Sequence, residues 1–358
     1  MTSCASRTST RAPDPRLCRG SRLLRTLLLW LALGALAVPA TPALAALGPA
    51  QLGLVINDAD PSSVEVGEYY RRARNIPDSN IVHVRLADRP RKLSAEQFQV
   101  LKKQIDAGLG PNIQAVLMVW TAPYAVECNS ITSAYTRGLD LGLCSRSCTP
   151  SEPSPYFDSR ADKPYTEVGM RLSMLLPTNS VAQARELIDR GVLSGFRLQP
   201  ATAYYLKTSD TARNSRARFF PRDIVIPPLQ LTVKTLQSDS LRDVSDIIVY
   251  QTGMLRVSGL ETLKFLPGAL ADHLTSTGGD LLSDTQMSSL RWLEAGATAS
   301  YGSVSEPCNF WQKFPQSTVL LNHYLHGATA IEAYWRSVAW PAQGVFIGEP
   351  LAAPYARR

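Results

Sequence analysis

Short apolar runs separated by amphipathic stretches recur along this chain, and that alternation limits its fold more than any other feature. Leu52-Gly-Leu-Val-Ile-Asn57 is an apolar run of strand length, and residues 63–74 then follow a helical pattern closed by Asn75-Ile-Pro77. Residues 81–85 give a second strand. Residues 94–108 read as a second helix, with Ser94 as N-cap and Gln97 completing a capping box. Ala115-Val-Leu-Met-Val-Trp120 supplies a third strand. Parallel strands need long crossover connections, and helices in those connections cover the sheet. The expected fold class is α/β, a mostly parallel sheet with helices on both faces, forming a three-layer sandwich.

That rhythm breaks at residues 121–164, where Pro123, Pro150, Pro153 and Pro155 fall among small polar residues together with Cys128, Cys144 and Cys148. A loop of this length in a compact domain points to function or flexibility. Downstream, the pattern predicts a helix at 181–190, a strand at 203–207, a helix capped by Ser209 or Asp210, and a proline-bounded segment at 229–235. Asp246-Ile-Ile-Val-Tyr-Gln251 resumes the buried sheet. Residues 284–294 read as helix, 297–302 as strand, 318–326 and 329–338 as helices, and 344–347 as a closing strand. No internal repeat is visible.

The N-terminus carries an export pattern. Arg22-Leu-Leu-Arg25 precedes an apolar run from Leu27 to Val38, and Ala43-Leu-Ala45 supplies a small-residue cleavage site. Twelve residues fall short of the roughly 20 needed to cross a hydrocarbon layer. Residues 1–45 are therefore expected to be a signal peptide, and 46–358 a single domain outside the cytoplasm, periplasmic or extracellular, with no transmembrane span after cleavage. Cleavage would also remove six arginines and one aspartate, so the formal net charge of +7 falls to +2. So even a balance does not require a polyanionic partner, and no nucleic acid is expected. Arg213, Arg216, Arg218 and Arg222 around Phe219 and Phe220 read as a solvated helix end.

Removing the leader takes Cys4 and Cys18 with it and leaves Cys128, Cys144, Cys148 and Cys308. An even number in an oxidising compartment implies two disulfides. Spacing favours Cys144 with Cys148, and hence Cys128 with Cys308, the long loop contributing about 5 kcal/mol of chain entropy against about 2 for the short one. A zinc site is disfavoured because Cys144-Ser-Arg-Ser-Cys148 has no second knuckle.

Several chemistries lack their motifs: there is no phosphate-binding loop, no His-Glu-x-x-His and no dinucleotide fingerprint. Thr298-Ala-Ser300-Tyr-Gly302 would need glycine at 298 to form a nucleophile elbow, so Ser300 reads as part of a strand. Of four histidines, His83 falls in a strand and is expected to be half-buried. His323 and His326 share a helix face, His326 at a C-terminus that suits a cation. His273 beside Asp272, close to Ser276, is the catalytic candidate. Strand-end positions where ligands gather give Asp58, Asp60, Tyr124, Thr252, Glu306, Asn309 and Glu349 as a candidate ligand rim. No cofactor and no resident metal are expected.

Asp60-Pro-Ser-Ser-Val-Glu-Val-Gly-Glu-Tyr-Tyr70, Cys128-Asn-Ser-Ile-Thr132, Ser154-Pro-Tyr-Phe157, Ala271-Asp-His-Leu-Thr-Ser-Thr-Gly-Gly279, residues 286–297 and Glu306-Pro-Cys-Asn309 together resemble an uncharacterised family of exported bacterial proteins associated with exosortase-carrying genomes. That resemblance spans nearly all of 46–358 and implies no activity. Glu294-Ala-Gly-Ala-Thr-Ala-Ser-Tyr-Gly-Ser303 and Phe346-Ile-Gly-Glu-Pro350 are also similar to the tail of the gingipain branch of caspase-fold cysteine peptidases. The resemblance implies a caspase-like scaffold with a base at one strand end and a thiolate at the next. Here those positions read Tyr250-Gln-Thr252-Gly253 and Ser276-Thr-Gly278, without the His/Cys dyad. The expected function is an envelope binding or assembly factor, its partner another envelope protein or a small ligand. The alternative is a hydrolase using Asp272, His273 and Ser276, or a metal held by Asp58 and Glu306.

Overall fold

The computed structural model describes residues 46–196 and 198–357; the expected signal segment 1–45 lies outside them. The apolar runs become strands β1 (Leu52–Asn57), β2 (Ile81–Val84), β4 (Ala115–Val119), β7 (Leu172–Leu175), β8 (Ala201–Lys207), β11 (Ile247–Thr252), β12 (Phe265–His273), β13 (Ala299–Ser303) and β14 (Gly344–Gly348). With β9 (Ile224–Ile226) and β10 (Leu231–Gln237) they make one eleven-stranded sheet, ordered β2-β1-β4-β7-β14-β13-β12-β11-β8-β10-β9. A small sheet joins β3 (Lys92–Leu93), β5 (Ala125–Val126) and β6 (Asn129–Ser130).

The large sheet is mostly parallel and mixed, as expected. Antiparallel pairs occur between β13 and β14 and at the β9–β10 edge. Both halves wind alike: β2 lies outside β1 while β4 and β7 step inward, and β10 lies outside β8 while β11, β12 and β13 step inward. Alternate residues of β8 show why both faces need cover. Ala203 and Tyr205 pack into the main apolar core, whereas Tyr204 and Leu206 join a second cluster around Trp292, Leu241 and Leu263.

Local signals explain the helix starts. Ser94 and Gln97 form the expected reciprocal capping box at Ala95–Ala107, and Asp60 caps Pro61–Arg74. Other expectations need correcting. The stretch 121–164 is not one loop, since it contains β5, β6 and the helices Ile131–Arg137 and Gly142–Ser145. No α-helix follows Ser209, where short 3-10 turns occur instead, and the 284–294 pattern is helical only at Leu290–Glu294. His83 lies in β2 with its side chain 56% exposed, bonded through Nδ1 to Asp58 at 2.7 Å, so it is not half-buried. Ser300 is interior to β13 and buried, so no nucleophile elbow forms. Among the described residues no helix is long and apolar enough to cross a membrane.

Among the described residues two disulfides form, but their pairing is Cys128–Cys144 and Cys148–Cys308 rather than the pairing spacing favoured. Asn129 braces the turn that brings the first pair together. Its Nδ2 donates to Asp140 O at 3.1 Å and its Oδ1 accepts from Asp140 N at 3.1 Å, folding residues 129–140 back so that Cys144 meets Cys128. Cys148 is left for Cys308.

Candidate functional site

β11 and β12 run side by side with Gln251 opposite Asp272 and Thr252 opposite His273, and Leu274 N–H donates to Thr252 O at 3.0 Å. The end of β11 that the resemblance singled out thus adjoins the end of β12, which falls at His273, three residues before the Ser276–Gly278 that the resemblance gave. Their side chains nevertheless diverge, because consecutive strand residues face opposite sides of a sheet.

Asp272 faces the main core, 1% exposed, and forms an ion pair with Arg216, which is equally buried. Gln251 Nε2 donates to Asp272 Oδ2 at 2.8 Å, and Tyr334 OH donates to the same oxygen at 3.4 Å. Arg216 also donates to Thr252 O at 2.9 Å, Asp272 O at 3.2 Å and Pro315 O at 3.3 Å. Burial raises the carboxyl's pKa, opposed by Arg216 and the Gln251 donor. The group is a tie between strand ends and the 213–222 segment. Arg216 was expected at a solvated helix end; it is interior.

His273 faces the other side. Its Nδ1 accepts from Trp292 Nε1 at 2.9 Å, so the proton sits on Nε2, which contacts Met287 O at 3.1 Å. Both nitrogens are committed, and burial, then Arg216, pushes its pKa down to about 3. Ser276 lies elsewhere, in a small hollow of about 210 Å³ with Arg213, Thr275, Cys308 and Asn309. Asp272, His273 and Ser276 therefore do not converge as acid, base and nucleophile.

The other candidates scatter. Asp60 accepts from Ser62 N at 3.1 Å as a cap, and Glu306 accepts from Cys308 N at 2.7 Å. Tyr124 OH donates to Asp280, and its pKa is raised, chiefly by burial. Glu349 is not on a rim at all. It is buried, with Arg74 Nη2 at 2.6 Å and Tyr70 OH at 2.6 Å. Among the described residues no three His, Cys, Asp or Glu side chains are grouped to hold a metal.

What sequence reasoning missed is a cleft of about 760 Å³ on the His273 side of the strand ends. Leu281, Met287, Val257 and Leu290 are buried beneath it, while Arg91, Arg256 and Arg291 are exposed around it. Its base, residues 281–288, is braced from the strand ends. Gln286 Oε1 accepts from Thr275 Oγ1 at 2.7 Å and Thr277 N at 3.0 Å, and the His273 ring holds Met287 O. Gly279 lets this segment touch β13, since a Cβ there would stand 2.5 Å from Gly302 O. Residues 286–297, which the resemblance had marked, supply part of this lining, but nothing local ties them to Arg91 or Arg256.

No family model and no curated protein matches the chain. Two solved structures are similar to it. A structure described as a protease aligns at 10% identity over 86% of this chain and 78% of that one, with a TM-score of 0.48. The complex of the pro- and mature domains of Porphyromonas gingivalis RgpB aligns at 11% identity over 85% and 79%, with a TM-score of 0.44.

Proposed function

We propose that this chain is an exported binding or assembly protein of the cell envelope, a caspase-like scaffold without peptidase chemistry, whose ligand site is the cleft under Arg91 and Arg256. One observation carries the reading: His273, the histidine at the paired strand ends, has both ring nitrogens bonded within the fold, while its neighbour Asp272 faces the opposite side. A general base needs a nitrogen free to accept a proton, and a hydroxyl without a base is a poor nucleophile. His273 does have a structural use, which is to hold Met287 O in the floor of the cleft. A cleft of this size with an apolar base and a few charged groups has the character of a ligand site. Export is supported by the leader pattern, by the exported family that the motifs resemble and by two disulfides.

The test is hydrolysis by the purified protein of a broad set of peptides and esters, followed by mass spectrometry. All substrates are expected to remain intact, with and without thiol-directed reagents. Turnover abolished by Ser276→Ala or His273→Ala overturns the reading.

A further inference from the structure

We infer that the cleft takes an extended peptide segment in which acidic side chains alternate with leucine-sized apolar ones. The inference deepens, and rests on, the reading of the cleft as a ligand site.

Two guanidinium groups are docked on one short stretch of its base. Arg91 Nη2 donates to Leu282 O at 3.1 Å, and Arg256 Nη2 donates to Asp284 O and to Thr285 O at 3.2 Å. Carbonyl contacts fix the position of a guanidinium without cancelling its charge, and each group has five N–H donors, most of them still unspent. Among the described residues neither Arg91 nor Arg256 forms an ion pair, whereas Arg291 is matched by Glu294 at 2.5 Å. Of the cleft's own acids, Glu261 leans toward Arg242 at 4.0 Å and Asp284 is exposed at the rim. The lining therefore holds two positioned, unpaired cations whose best complement is carboxylate, which guanidinium binds through two parallel hydrogen bonds.

Apolar contacts supply the other half. Leu282 stands 41% exposed beside the two arginines, above the buried Leu281 and Met287. A purely ionic ligand would leave this surface wet, and a purely apolar one would desolvate the guanidinium groups without replacing their partners. A segment that alternates the two kinds of side chain satisfies both.

The experiment uses fluorescein-labelled octapeptides, amidated at the C-terminus, that alternate leucine with glutamate, glutamine or lysine. A fourth carries glutamine and a free C-terminal carboxylate. Fluorescence anisotropy is read with the full purified protein and with Arg91→Glu and Arg256→Glu variants, whose melting temperatures are checked first. The glutamate peptide is expected to bind at least tenfold more tightly than the lysine or glutamine peptide. Its affinity should fall at least tenfold in each variant and weaken as salt is raised. Equal binding of the three amidated peptides, no loss in folded variants, or binding that depends on the free C-terminus overturns the inference. Mass spectrometry of the bound peptide separates the two claims: cleavage defeats the non-hydrolytic reading, whereas charge-blind binding of an intact peptide defeats only this one.

Discussion

Asp272 and His273 are consecutive in β12 and belong to opposite sides of the sheet: one pairs with Arg216 in the main core, the other hydrogen-bonds Trp292 in the second. Each is expected to fail in its own way when altered.

For His273 the signature is pH. The folded chain holds its pKa near 3, against 6.5 for the free side chain. Between those values the unfolded state binds the proton and the folded state does not. Stability is therefore lost as pH falls from about 6.5 toward 3, with a slope of about 1.4 kcal/mol per pH unit from this group. His273→Gln keeps an acceptor and a donor but does not titrate. Urea unfolding of both proteins from pH 7 to 4 should show the wild-type advantage shrinking as pH drops; a constant difference would contradict the buried neutral ring.

Arg216→Met should cost about 3–5 kcal/mol, because it leaves a buried carboxylate without its cation. Arg216→Met with Asp272→Leu should recover more than half of that loss, since no charge is then stranded. Urea midpoints of the two variants decide it, and additive losses would argue that the pair is not coupled.

Glu349→Gln removes the anion that faces Arg74 and should destabilise by about 3 kcal/mol. Binding of the glutamate peptide should not change, because Glu349 is interior and does not line the cleft. A tenfold shift in Kd with intact folding would return Glu349 to the ligand site.

Non-reducing peptide maps should contain Cys128 joined to Cys144 and Cys148 joined to Cys308, with no thiol at Cys308 open to alkylation. Replacing Cys148 and Cys308 by serine should cost about 5 kcal/mol, and replacing Cys128 and Cys144 about 3, because the closed loops span 160 and 16 residues. Recovery of a Cys144–Cys148 peptide from native protein would refute the pairing.

The sequence exposed those parts of the fold whose causes are local. Uninterrupted apolar runs marked β1, β4 and β11, and Ser94 with Gln97 marked a helix start to the residue. β12 was hidden because Pro267 and Gly268 interrupt it; proline and glycine inside a strand usually argue against one. Here they sit where the register with β11 shifts, from Ile247 opposite Phe265 to Val249 opposite Leu270. β7 escaped notice because it is short and carries a serine at 173. The two halves' shared winding order left no trace either, since topology can repeat while residues do not.

The site was less legible, because its determinants are long-range. Nothing near Arg216 announces a partner 56 residues away, and the arginine-rich context suggested solvent instead. The cleft gathers Arg91, Asn179 and Arg256 from three separate segments, and its base from a stretch that a helical pattern had claimed. Asp272 and His273 were found, but as neighbours on paper; the pleat separates them.

Taken in order along the chain, the four cysteines of the described residues pair first with second and third with fourth. A polypeptide threaded N-terminus first into an oxidising space would present Cys128 and Cys144 together, long before Cys308 arrives. An oxidant acting on each thiol pair as it emerges would thus build the native bonds directly, provided Cys148 waits, and maturation would depend on the timing of synthesis more than on an enzyme that rearranges wrong bonds.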